Sequence, residues 1–93
     1  MKRKIRSHIF CGRLFKVKDQ RYLRKPDVAM CDHAKGIIQI PIDGDTLPEL
    51  DWCTHESLHA CCPWMAEDAV DEAATCIAKL LWRLGWRKEQ EDK

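Results

Sequence analysis

One short motif constrains this chain more than any other feature: residues 55–59 have the sequence His-Glu-Ser-Leu-His. Two histidines four positions apart lie one turn apart on the same helix face, so both imidazoles can bind one Zn²⁺ ion. Glu56 lies about 100° around the helix from His55, beside that face. A carboxylate there can act as general base for a water molecule whose pKa zinc lowers to about 7. The motif predicts a zinc site with His55 and His59 as ligands and Glu56 as catalytic base.

The residues around the motif predict the helix that it requires. Thr46, Pro48 and Glu49 form a capping-box pattern, which begins a helix. Pro63 ends that helix after about Cys62. The motif therefore lies in the second half of a well-capped helix.

A second helix is predicted from near Ala66 to Gly85. The short connection makes the two helices antiparallel, so the second begins beside the end of the first. A catalytic zinc ion usually has three protein ligands and one open position, so the second helix should supply the third. We expect Glu67 to be this ligand and Asp71 to orient a ligating histidine, with Asp71 or Glu72 as alternative third ligands.

With these residues in place, the chain resembles the gluzincin branch of the zincin metallopeptidases. There, a Glu-x-x-x-Asp pattern on a second helix, here Glu67 to Asp71, gives the third ligand and a carboxylate that orients a histidine. The same helix resembles that of the short ImmA/IrrE-like and minigluzincin proteins, with Asp71 where many have Asn. Short proteins of this layout are encoded by phages and prophages. The resemblance covers about residues 37–85.

The resemblance implies a hydrolase that cleaves peptide bonds in a peptide or protein substrate through a zinc-activated water. In such families the strand before the H-E-x-x-H helix is a sheet edge that pairs with the substrate backbone. Ile37–Ile42 is the matching segment in this chain. Peptide hydrolysis also needs a donor for the developing oxyanion. Tyr22, His8 and His33 are candidates, and the sequence does not select among them.

The first half of the chain has the alternation of strands. Three strands are predicted, over Ile5–Cys11, Leu14–Lys18 and Ile37–Ile42, with a turn at Gly12-Arg13 and a connector from Tyr22 to Lys35. Pro41 cannot donate to a ladder, so the third strand is expected at a sheet edge or a bulge. The predicted fold is α+β: a small zincin-like domain with a three-stranded, mostly antiparallel sheet followed by a two-helix hairpin.

Charge divides the chain in the same way as the predicted elements. The 93 residues have a formal net charge of +1, but residues 1–25 contain ten Lys or Arg and one Asp. Residues 43–76 contain nine Asp or Glu and no Lys or Arg. We expect a single domain over 1–93 with a basic β-rich half (1–42), a helical metal-site half (46–85) and a polar tail (86–93).

The basic half supports an alternative interpretation. Lys and Arg side chains on strands could contact phosphates, so the chain could be a nucleic-acid-binding or protein-binding regulatory module whose zinc is structural or vestigial. A regulator that acts by protein contact without turnover is a further alternative. Nucleic acid is the less favoured partner, because the strands carry few aromatic residues and no recognisable binding motif.

No apolar run approaches the roughly 20 residues that a membrane span needs, so no membrane partner is expected. The apolar stretch Ile9–Cys11 behind the basic start is too short for a signal peptide. We therefore expect a cytoplasmic location, with most of the six cysteines reduced.

Overall fold

The computed structural model describes residues 5–19, 30–42 and 45–87. Within them, four strands precede two helices, which confirms the predicted α+β class. The elements are β1 (Ser7–Phe10), β2 (Arg13–Asp19), β3 (Met30–Asp32), β4 (Ile37–Ile40), α1 (Leu47–Cys61) and α2 (Glu67–Arg83).

The four strands form one mixed sheet in the order β1-β2-β4-β3. β1 and β2 form an antiparallel hairpin, β2 and β4 are parallel, and β3 is antiparallel to β4. The hairpin turn is at Cys11-Gly12, one residue earlier than predicted. Both turn residues have positive φ, 49° and 83°, the backbone form that matches the twist of a two-residue hairpin.

The predicted strand number was wrong, because β3 lies inside the segment that we predicted as a connector. β3 has only three residues of mixed polarity, too short for alternation to reveal it. Its pairing depends on the tight turn to β4, where the Lys35 amide donates to Asp32 Oδ1 at 3.1 Å and Gly36 has a φ of +67°. A strand such as β3, which is stabilised mainly by pairing with β4, leaves little signal in its own sequence.

The predicted edge position of the third strand was also wrong. β4 lies between β2 and β3, so β3 forms the edge of the sheet on that side. The ladder of β4 ends at Ile40, and Pro41 follows it. The missing amide hydrogen of Pro41 therefore interrupts no pairing, and proline does not force this strand to the edge.

The predicted start of α1 is confirmed by its capping box. The Glu49 amide donates to Thr46 Oγ1 at 3.3 Å, and the Thr46 amide donates to Glu49 Oε1 at 3.1 Å. The reciprocal bonds satisfy amide groups that have no partner within the helix. In the described part of the chain, neither helix has the length and apolar character needed to cross a membrane.

α1 packs on one face of the sheet, and α2 packs against α1. Phe15 of β2, Ile38 of β4 and Ala60 of α1 form the buried core between sheet and helix. α2 packs against α1 and buries Val70, Ala74 and Ala78. Ile77 and Leu84, apolar residues near the same end of the chain, are exposed instead.

Candidate metal centre

Three predicted ligand residues come together where α1 ends and α2 begins. His55 Nε2 lies 3.1 Å from His59 Nε2 and 3.2 Å from Glu67 Oε1. His59 Nε2 lies 2.6 Å from the same oxygen. The two imidazoles and one carboxylate therefore direct one donor atom each at a common point, and they form a group able to hold a metal ion.

The local fold explains why Glu67 reaches the two histidines. The Cys62 amide donates to the Leu58 carbonyl at 2.7 Å and closes α1, and the Met65 amide donates to the Cys62 carbonyl at 3.0 Å in the following turn. The chain thus reverses within a few residues, and Glu67 becomes the first residue of α2. Further along the pair, Thr75 Oγ1 donates to Asp51 Oδ2 at 2.9 Å and links the two helices.

The donor set fits zinc. Zinc bonds of about 2.0–2.1 Å to nitrogen and oxygen, at tetrahedral angles, separate ligand atoms by roughly 3.3–3.4 Å. Two of the observed separations, 3.1 and 3.2 Å, are slightly shorter than this, and the third, 2.6 Å between His59 and Glu67, is clearly shorter. A point at zinc-bonding distance from all three atoms still exists, about 1 Å outside their plane. Two histidines with one glutamate are also a recognised ligand set of catalytic zinc sites. The side chain of Glu67 is exposed, so the group opens to solvent.

Asp71 lies beside the ligand group rather than within it. Asp71 Oδ1 is 3.1 Å from His55 Nδ1, the ring nitrogen that does not point at the other donors. If that nitrogen carries the hydrogen, Nε2 keeps the lone pair that a metal requires. This is the contact expected of a histidine-orienting carboxylate. Glu72, the other alternative third ligand, is not a member of the metal-binding group.

Glu56 is the most buried charged side chain among the described residues, with 8% exposure. Burial raises the pKa of its carboxyl above the usual value, and the Glu67 carboxylate adds to the rise, while His55 and His59 oppose it. A carboxylate with a raised pKa is a better proton acceptor than an exposed one.

The Glu67 carboxylate is affected in the opposite direction. The hydrogen bond from His59 is the main cause that lowers its pKa; desolvation, the second cause, opposes it, and the charges of both histidines and a hydrogen bond from His55 lower the pKa further. Glu67 is therefore ionised at neutral pH, as a metal ligand must be. The two glutamates of one site thus have pKa shifts of opposite sign, which suits two different roles.

An open cavity of about 320 Å³ lies over this group. One wall comes from the helices and the other from the edge strand β3 and the turn that follows it. The lining residues are Met30, Cys31, His33, His55, Glu56, His59, Pro63 and Glu67. The metal-binding group therefore lies in a space large enough for part of a peptide.

Of the three candidate oxyanion donors, His33 lines the cavity. Arg13 Nη1 donates to His33 Nδ1 at 2.7 Å, and the ring packs edge-on against Phe15 at 5.4 Å. His8 lies on β1 and packs against Phe10 instead. Tyr22 lies outside the described residues.

Cys31 also lines the cavity, and no motif or pattern in the sequence marked it for that position. Burial is the main cause that raises the pKa of its thiol to about 11, with contributions from Glu56 and Asp32. The only signal that could have identified Cys31 was the β3 strand itself, because pairing with Ile38 turns Cys31 to the helix side of the sheet.

Comparison with protein-family models, with curated proteins and with solved structures finds no match for this chain. The interpretation of the site therefore rests on the sequence motif and on the geometry described above.

Proposed function

We propose that the protein is a zinc-dependent metallopeptidase, in which Glu56 acts as general base. One observation carries this proposal: the donor atoms of His55, His59 and Glu67 converge beside a buried glutamate in an open cavity. A structural zinc site usually has four protein ligands and is closed to solvent. Three ligands and an exposed side favour a catalytic site.

Each residue of the site has a separate role in the proposed hydrolysis. His55, His59 and Glu67 would hold the zinc ion, and Asp71 would fix the ring of His55. A zinc ion bound there would supply Lewis-acid polarisation of a carbonyl group and would lower the pKa of a bound water. Glu56 accepts the proton of the attacking water and delivers it to the amine that leaves.

His33 is the best candidate for the oxyanion donor. Because Arg13 can only donate, the contact at 2.7 Å requires Nδ1 of His33 to accept. The neutral ring then carries its hydrogen on Nε2, which makes that nitrogen a hydrogen-bond donor. A donor held on the wall that faces the metal-binding group is suited to the oxygen that becomes negative in the transition state.

The substrate is proposed to be a peptide in extended form. Among the described strands, β3 forms the edge of the sheet beside the cavity, and its Met30 and Cys31 line the cavity. An added strand along this edge would obtain backbone hydrogen bonds and pass over the metal-binding group. The strand-addition site is thus proposed at β3 rather than at Ile37–Ile42, where the resemblance implied it.

A second candidate function follows from the face of the sheet that is remote from the helices. On β2, Lys16 and Lys18 are exposed, and their side chains alternate with buried Phe15 and half-buried Val17. They therefore lie on the uncovered face of the sheet, where a regulatory module could contact phosphates. Binding of that kind would weaken steeply with salt, whereas peptide hydrolysis at the metal centre would not.

The deciding experiment compares the wild type with Glu56→Gln after expression with added zinc. We expect about one zinc per chain in both proteins, and a loss of about 10²–10⁴-fold in hydrolysis of a quenched-fluorescence peptide library by the variant. Ser57→Ala, inside the motif but outside the ligand group, should retain both properties. A wild type without zinc at neutral pH, or full hydrolysis by Glu56→Gln, would contradict the proposal.

A further inference from the structure

An apolar row lies on the surface of α2, away from the metal centre. We call it the α2 seam, and it consists of Ala73, Ile77, Leu80 and Leu84. Ile77, Leu80 and Leu84 are 41%, 56% and 66% exposed. The spacing of four, three and four residues is that of a helix that packs against a second helix. A monomer would leave this continuous apolar row in water.

The α2 seam is separate from the face that α1 already covers. Val70, Ala74 and Ala78 are fully buried in the helical hairpin. At 100° per residue, their row lies roughly 90° around the helix from the α2 seam. Glu67 and Asp71 lie on the far side of that buried row. A partner on the α2 seam would therefore leave the metal centre accessible.

The charges along α2 are ordered. The first six residues include four acids, Glu67, Asp68, Asp71 and Glu72. Residues 73–78 carry no charge, and the charged residues of the second half are Lys79 and Arg83. A parallel copy of this helix would place like charges together. An antiparallel copy would place the acidic half of each helix beside the basic half of the other, which is attractive.

The same antiparallel arrangement matches side-chain sizes. Centred on the α2 seam, it places Ala73 opposite Leu84 of the second copy and Ile77 opposite Leu80. A small residue thus meets a large one at each end, and two branched residues meet in the middle. Glu72 and Arg83 both lie on the edge of the α2 seam that is remote from α1. Across a twofold axis, the same edges of the two helices face each other, so Glu72 of one copy approaches Arg83 of the other.

We propose that the α2 seam is a homodimer interface, in which two copies of α2 pack antiparallel about a twofold axis. The occupant is a second copy because the helix complements itself in charge and in side-chain size. An anionic membrane fits less well, since the first half of α2 is acidic. The proposal is independent of the metal centre and of the proposed hydrolysis.

The test is the mass of the full chain in solution, by sedimentation equilibrium or light scattering at up to about 100 µM. We expect twice the 10.9 kDa of the single chain. Leu80→Glu should weaken dimerisation by more than about 100-fold, because it buries a charge in the interface. Ile9→Glu is the matched control: Ile9 is 62% exposed on β1, and the variant should remain dimeric.

A charge exchange tests the direction of packing. Glu72→Arg and Arg83→Glu should each weaken dimerisation by about tenfold, since the twofold axis repeats the pair. The double variant should recover the wild-type affinity. Circular dichroism checks that each variant folds, and Leu84→Glu replaces Leu80→Glu if that variant does not. A monomeric wild type, a dimeric Leu80→Glu, or a double variant as weak as the single ones would overturn the proposal.

Discussion

Asp71 Oδ1 lies 3.1 Å from His55 Nδ1, one turn of α2 beyond Glu67. Nδ1 is the ring nitrogen of His55 that does not point at the donor atoms of His59 and Glu67. A carboxylate in this position favours the tautomer of His55 with the hydrogen on Nδ1, which would leave the lone pair of Nε2 for a metal ion. Two carboxylates on successive turns of α2 thus act on the same imidazole from its two sides, because helix positions i and i+4 share a face.

The first prediction concerns this contact. Asp71→Ala should lower the zinc affinity about 10–100-fold, because His55 loses the group that orients it. Asp71→Asn should lose less, since the amide oxygen can still accept the hydrogen from Nδ1. Competition with a chromophoric chelator measures both affinities. Glu72→Ala, an exposed neighbour outside the group, is the control and should bind zinc like the wild type. Equal affinities for Asp71→Ala and the wild type would remove the orienting role.

The second prediction separates the two glutamates of the metal centre. Glu67→Gln should reduce the zinc affinity more than Asp71→Ala does, because it removes a ligand rather than a supporting contact. Glu56→Gln should keep the wild-type affinity. The same chelator titration applies. If Glu56→Gln loses zinc while Glu67→Gln retains it, the roles of base and ligand are exchanged between the two residues.

The third prediction concerns the cost of burying Glu56. The pKa of the Glu56 carboxyl is higher in the folded chain than in the unfolded chain, where it is near 4.5. The protonated carboxyl therefore contributes its full stabilisation of the fold at a pH below about 4.5. The stabilisation is lost as the pH rises through the folded pKa, because the ionised group must then be buried. At pH 7, metal-free Glu56→Gln should therefore unfold at higher temperature than the metal-free wild type.

The difference in unfolding temperature between Glu56→Gln and the wild type should shrink as the pH falls below about 4.5. At such a pH, Glu56 is protonated in both the folded and the unfolded wild type. Thermal unfolding followed by circular dichroism at several pH values measures it. Ser57→Ala is the control for a neighbouring change without a titrating group. A variant that is less stable than the wild type at pH 7 would show that the ionised carboxylate of Glu56 is well compensated.

The fourth prediction concerns the thiol of Cys31. Its pKa rises from 9.0 to about 11 in the fold, so the thiolate fraction below pH 9 is about 100-fold smaller than in the unfolded chain. Alkylation of metal-free protein by iodoacetamide at pH 8, followed by mass spectrometry, should leave Cys31 largely unmodified and should modify exposed Cys76. In denaturant, Cys31 should react at an ordinary rate. Rapid alkylation of Cys31 in the folded protein would contradict the shift.

The parts of this fold that sequence alone predicts are those determined by local chemistry. The capping box at Thr46 and Glu49 defines the start of α1 through hydrogen bonds between residues three apart. The histidine spacing needs only helix geometry, and Glu67 follows from a short turn between antiparallel helices. Each of these inferences depends on neighbours within one or two turns.

The parts that sequence missed depend on contacts between distant segments. β3 exists because its three residues pair with β4, and β4 is internal because its other edge pairs with β2 across the chain. His33 could be named as a donor candidate but not selected. Its position in the cavity follows from the β3–β4 turn and from Arg13, twenty residues earlier. An amphipathic pattern likewise does not say which part of α2 faces α1 and which remains exposed.

The last prediction tests His33 and the arginine that holds it. Because Arg13 donates to Nδ1 of His33, the neutral ring should carry its hydrogen on Nε2. The ¹⁵N chemical shifts of the His33 ring report this tautomer directly, without any substrate. Arg13→Met should remove the preference, since its side chain cannot donate. His33→Ala should lower kcat for peptide hydrolysis by about 10²–10³-fold and leave the zinc content unchanged, as expected for the loss of one oxyanion donor.

His8→Ala is the matched control, since His8 lies on β1 against Phe10 and should not affect hydrolysis. Arg13→Met should reduce kcat less than His33→Ala, because part of the His33 population still has the hydrogen on Nε2. A kcat unchanged in His33→Ala would assign the donor to another group. A ring hydrogen on Nδ1 in the wild type would instead contradict the Arg13 contact itself. These two results are distinguishable, because the first is measured on the reaction and the second on the resting protein.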